Sequence, residues 1–143
     1  TKRSLFKLDP NYDSFDEVLN SYYECYKFIR DEMKVLDVKK KRDKKLYILS
    51  NEILKVLNAF LTQHQNNYRR WHKFVSENDK VLTQEKDSNG EFISLPYHLT
   101  PIGTIQSHYY HFNKIINGFI DVNKFFNESV VVEFDINVGK WSE

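Results

Sequence analysis

The amino-acid sequence predicts a predominantly helical α+β domain: three long helices packed as a bundle, with a small antiparallel β-hairpin and a C-terminal strand. Three observations carry that prediction. First, the chain from Leu46 to Val75 keeps a helical period with no internal Gly or Pro. Leu46, Leu49, Ile53, Val56, Phe60, Trp71 and Val75 fall at steps of three and four around a polar gap from Gln63 to Asn67. Leu54, Leu57, Leu61, His64 and Tyr68 form a second stripe beside them, and a helix covered on more than one face is the central helix of a bundle. Second, the same spacing recurs before it, from Phe15 to Leu36, and after it, from Ile105 to Phe126. Third, Asp87-Ser88-Asn89-Gly90 separates two short strand-like runs, and Asn-Gly is a strong hairpin signal.

Residues through Asn11 read as an extended lead-in, because Pro10 biases Asp9 away from helix. Asp13 or Ser14 is the N-cap of the first helix, with Asp16 and Glu17 in the first turn, where the helix dipole favours them. Phe15, Val18, Leu19, Tyr22, Tyr26, Ile29, Met33 and Leu36 make its buried stripe. Tyr22, Tyr23, Tyr26 and Phe28 are read as core packing rather than as a stacking platform for bases. The run Lys39-Lys40-Lys41-Arg42-Asp43-Lys44-Lys45 puts six positive charges in seven positions, which suits a helix N-terminus poorly. The turn therefore falls within 37–43, with Asp43 as the expected N-cap of the central helix and Asp37 as the alternative. That helix ends near Ser76, before Glu77, Asn78 and Asp79.

Val81–Lys86 and Glu91–Leu95 pair as the hairpin. A lone hairpin is marginal in water, and Val130–Val138, whose second half alternates strictly, is the expected third strand. The loop from Leu95 to Gly103 is rich in breakers. It leads into the last helix, capped by Thr100 with Pro101 at the first helical position, or by Thr104. Ile105, Tyr109, Phe112, Ile115, Ile116, Phe119, Val122 and Phe126 form the buried face of that helix.

A chain of 143 residues can bury a core without a metal or disulfide, and residues 1–143 read as a single domain. The chain opens at Thr1 without an initiator Met and stops just past a strand-like run, so it is expected to be a piece of a longer protein. Its 21 basic and 20 acidic residues leave a net charge of +1, which gives no global pull toward nucleic acid or an anionic membrane. No apolar run approaches the ~18 residues of a spanning helix. No apolar segment follows the charges of the N-terminus either, so a soluble protein with no membrane partner is expected. The single Cys25 can form no internal disulfide and reads as a packed thiol in a reduced, intracellular compartment, cytoplasmic or nuclear.

Three surfaces could carry function. In the second half of the central helix, Tyr68, Arg69, Arg70, Trp71 and Lys73 mix aromatics with cations, the residue types that dominate interface hot spots. Together with Tyr97 and the segment to His111, they predict a non-catalytic module that binds a protein partner or other domains of its parent chain. The alternative is a nucleic-acid-binding domain that uses Lys39, Lys40, Lys41, Arg42, Lys44 and Lys45 together with Arg69, Arg70 and Lys73 on phosphates. A third reading is a metal-binding or hydrolytic bundle in which His64, His72, His98, His108 and His111 converge, with His108 and His111 sharing a helix face. The stricter spacings of zinc and carboxylate-bridged metal sites are missing. Gly90, Gly103, Gly118 and Gly139 lie too far apart for a phosphate loop, and no Gly-x-Ser-x-Gly elbow occurs, so no cofactor is expected.

Overall fold

The computed structural model describes residues 8–130. In chain order these form α1 (Phe15–Met33), α2 (Lys41–Glu77), β1 (Val81–Lys86), β2 (Phe92–Leu95), a 3-10 turn (Tyr97–Leu99), α3 (Ile102–Ser107), α4 (Phe112–Phe125) and a closing π turn (Phe126–Val130). The domain is predominantly helical α+β. The expected third strand lies outside the described residues except for Val130, which closes the π turn. Among the described residues the sheet has two antiparallel strands, with Val81 opposite Leu95 and Leu82 opposite Ser94.

Of the lead-in, the described part from Asp9 on is a turn rather than an extended segment, because the carbonyl of Asp9 accepts the amides of Tyr12 and Asp13. Ser14 is the N-cap of α1, but its side chain makes no capping bond. That work falls to a glutamine 91 residues away. Gln106, fully buried on α3, accepts the Phe15 amide through Oε1 at 2.6 Å and donates from Nε2 to the Asp13 carbonyl at 2.9 Å. A free first-turn amide is thus satisfied across the fold rather than locally. The approach is close: a Cβ on Gly103 would lie 2.6 Å from the Asn11 carbonyl oxygen, so only glycine fits there.

The N-cap of α2 is Lys40, not Asp43 or Asp37, and Lys41 and Arg42 occupy its first turn. Two carboxylates compensate. Asp43 accepts the Asp37 amide at 2.9 Å, Asp37 accepts the Lys39 amide at 3.1 Å, and Asp43 is itself the acidic residue of the first turn. The cations are exposed, where repulsion by the dipole amounts to about 0.3–1 kcal/mol each, too little to move the helix start.

At 37 residues α2 is roughly 55 Å long and holds the domain together. Its mid-section meets Phe15, Leu19 and Tyr22 of α1 and Ile115, Phe119 and Val122 of α4 in the main core. Phe60, Tyr22 and Phe119 pack as an aromatic triad with centroids 4.9–5.8 Å apart. Helix α4 comes close enough that a Cβ on Gly118 would sit 2.6 Å from the Phe60 ring. Of the tyrosine cluster on α1, Tyr22 is core, whereas Tyr23 and Phe28 are exposed. A smaller core of Val75, Val81 and Ile105 seats the base of the hairpin, and Trp71 packs against both cores. In the hairpin turn the Gly90 amide returns to the Asp87 carbonyl, and Gly90 takes φ +79°, the left-handed position that follows a type I turn.

The last predicted helix is two helices. The chain breaks at 108–111, where the amides of His108, Tyr109 and Phe112 bond three residues back rather than four. No Gly or Pro marks the place. The break aims Gln106 at the start of α1 while Tyr109, three residues on, packs against Tyr68 and Trp71 at 5.1 and 5.2 Å.

Candidate interaction surface

The last three turns of α2 sort the residues that sequence placed together. Tyr68 is fully buried, stacks on His72 with centroids 5.7 Å apart, and donates its hydroxyl to Gln106 Oε1 at 3.3 Å. Burial first, then the nearby Asp16 carboxylate, push its pKa well above the usual tyrosine value. Tyr68 is a core residue, unable to touch a partner. Arg69 points the other way around the helix and is held by α1, through a hydrogen bond to Asn20 Oδ1 and an ion pair to Asp16 at 3.5 Å. Tyr97 and His72 also engage one another: the hydroxyl and Nε2 are 2.7 Å apart. Burial depresses the His72 pKa, with Asp16 opposing, so the neutral imidazole is favoured, and the hydroxyl and Nε2 share one hydrogen bond whose donor is set by the imidazole tautomer. This pair fastens the turn at 97–99 to α2.

Arg70, Trp71 and Lys73 remain. With Phe74 and Glu77 from α2 and Tyr110 from the α3–α4 turn they line an open cleft of about 470 Å³. Trp71 is half-buried as its floor, with one side packed on Tyr68 and Tyr109. Phe74 is 64% exposed and Tyr110 58%. Phe74 escaped the sequence reading, though it lies on neither apolar stripe of α2, which is the mark of an outward-facing aromatic; Tyr110 lay within the expected Tyr97 to His111 segment without being singled out. Tyr110 carried no such mark, since its place depends on the break between α3 and α4. A second groove of about 600 Å³ lies on the other side of Tyr110, between the hairpin and the start of α4.

The five histidines do not gather into one group, although His64 and His111 are near enough to interact. His64 is buried against Phe60 at 4.8 Å, and its pKa is lowered by burial and then by His111 and Lys114. His98 is exposed, with its backbone amide on the Asp79 carboxylate. His108 ends α3 and His111 precedes α4, so the helix face they were expected to share does not exist. Among the described residues no three His, Cys, Asp or Glu side chains gather as a metal-binding group. Cys25 is half-buried against the main core, and burial pushes its thiol pKa up, away from reactivity.

Lys39, Lys40, Lys41, Arg42, Lys44 and Lys45 are all exposed at the opposite end of α2. Arg70 lies 29 residues beyond Lys41 along α2, so the basic run and the cleft are roughly 40 Å apart and cannot form a single patch. Among the described residues no helix is long and apolar enough to cross a membrane. Comparison of the chain with models of known protein families, with curated proteins and with solved structures found no match.

Proposed function

We propose that this chain is a non-catalytic protein-interaction module of an intracellular protein, whose working surface is the cleft formed by Arg70, Trp71, Lys73, Phe74, Glu77 and Tyr110. A single observation carries the reading. Two large aromatic side chains, Phe74 and Tyr110, stand exposed on separate elements around one concavity floored by a half-buried Trp. Exposed aromatics cost solubility, and Trp, Tyr and Arg grouped in a concavity are the anchors of interface hot spots. Tyr97 and Arg69, tied to His72 and Asp16, serve as the frame of that surface rather than as its contacts. The partner is another protein or another domain of the parent chain.

A photo-crosslinking residue at position 74 tests this in native extract. The expected result is a discrete adduct that is lost when Tyr110 is changed to Ala. If position 74 yields no more adduct than exposed position 120 on α4, the reading is wrong. The exposed run Lys39–Lys45 supports nucleic-acid binding as a second reading, and its signature is affinity that falls steeply with salt.

A further inference from the structure

Arg70, Lys73, Phe74 and Glu77 stand at positions i, i+3, i+4 and i+7 of α2 and therefore share one face of the helix. Tyr110 closes that face from the α3–α4 turn. The cations of α1 and α2 differ in their pairing. Arg69 is paired with Asp16, Lys27 with Glu24 and Lys34 with Asp31. Among the described residues neither Arg70 nor Lys73 has a carboxylate within ion-pair distance. Two unpaired cations against the one acid, Glu77, leave the cleft at 2 − 1 = +1.

Resting on the interaction-module reading above, we infer that the cleft takes an acidic segment of a partner protein. An aromatic or aliphatic side chain of that segment seats between Phe74 and Tyr110 on Trp71, and an adjacent Asp or Glu meets Arg70 and Lys73. The cleft volume of about 470 Å³ suits such an insertion, since pockets for small ligands span roughly 300–1,000 Å³. A guanidinium and an ammonium on one helix face, with aromatic surface between, match a carboxylate next to an apolar anchor. Glu77, at the far end of the same face, repels a second acid there and so gives the bound segment a direction. A nucleic acid fits less well. It needs cations repeated along a track, and the nearest other basic cluster on α2 is some tens of ångströms away, roughly 40 Å by helix rise.

The test is selection from a displayed library of random short peptides on the protein, followed by affinity measurement for the recovered peptides. The expected peptides combine an aromatic or aliphatic residue with neighbouring Asp or Glu. Their affinity drops at least about tenfold, or 1.4 kcal/mol, in Arg70→Glu/Lys73→Glu and similarly in Tyr110→Ala. It is unchanged in Arg42→Glu/Lys44→Glu at the other end of α2. Circular dichroism shows that each variant is folded. Peptides that need Tyr110 but lack acids, or that ignore the reversal at Arg70 and Lys73, overturn the acidic partner and leave the interaction module standing. Displacement of the peptides by a single-stranded oligonucleotide, with a steep salt dependence, overturns it in favour of phosphate. Recovery of no Tyr110-dependent peptide overturns it as well, whereas the interaction module itself falls only if crosslinking at position 74 is also empty.

Discussion

The two ends of α2 carry similar chemistry and come to different things. Each end has exposed cations and exposed apolar side chains: Lys39–Lys45 with Val35, Val38 and Ile48 at the start, and Arg70 and Lys73 with Phe74 at the finish. Each end also has the wrong charge for the helix dipole, with Lys41 and Arg42 in the first turn and Glu77 in a last turn that holds no basic residue. The difference is what lies alongside. At the start the cations stand in solvent on a turn and on one helix. At the finish the α3–α4 turn brings Tyr110 across α2, and a row of side chains becomes a cleft. Charge and exposed aromatics become a candidate site only where a second element makes them concave.

Perturbations of this contrast can be ranked by size. The largest effect is expected from Gln106→Ala, which removes from the Phe15 amide and the Tyr68 hydroxyl the acceptor they share. At about 1–3 kcal/mol per buried group left unpaired, the loss for the two is on the order of 2–6 kcal/mol. A urea midpoint unchanged from the wild type would mean that the glutamine does not hold the cleft end together. Gly118→Val follows, because its Cβ would meet the Phe60 ring at 2.6 Å. Overpacking of this kind costs about 1–3 kcal/mol, and a Tm equal to the wild type's would show that α4 can retreat without penalty.

Acidification should also act on the core and the cleft end rather than on the basic end. His64 and His72 have pKa values lowered in the folded state, so the unfolded chain binds more protons below its ordinary histidine pKa of 6.5. Their contribution is complete above pH 6.5 and is lost as pH falls from there toward the depressed folded values. Urea unfolding at descending pH should give a falling stability in wild type and a flatter profile in His72→Gln; identical slopes would remove His72 from the account. The smallest effects are expected at the helix ends themselves. Lys41→Glu and Glu77→Lys should each raise stability by about 0.3–1 kcal/mol, less at high salt. A thermal shift of the opposite sign at Lys41 would indicate that its charge is used within the fold.

Much of the fold was legible in the chain. The stripes of α1 and α2, the end of α2 beside Glu77 and the hairpin around Asp87–Gly90 all come from periodicity and turn chemistry that act over a few residues. Less of the candidate site was. Tyr68, Arg69, Arg70, Trp71 and Lys73 are neighbours in sequence, yet one is core, one is bound to α1 and three line the cleft. Successive helix positions are rotated about 100° from one another, so adjacency in sequence scatters residues around the axis.

By itself, then, the sequence determined the helical stripes of α1 and α2 and the hairpin, because those choices rest on hydrogen bonds and side-chain spacings within single segments. Tertiary structure alone decided the break at 108–111, the burial of Gln106 against the start of α1, and the unequal fates of Arg69 and Arg70. Each of these depends on which element passes beside which. Contacts between residues as distant in the chain as Phe15 and Gln106 leave no local pattern to read.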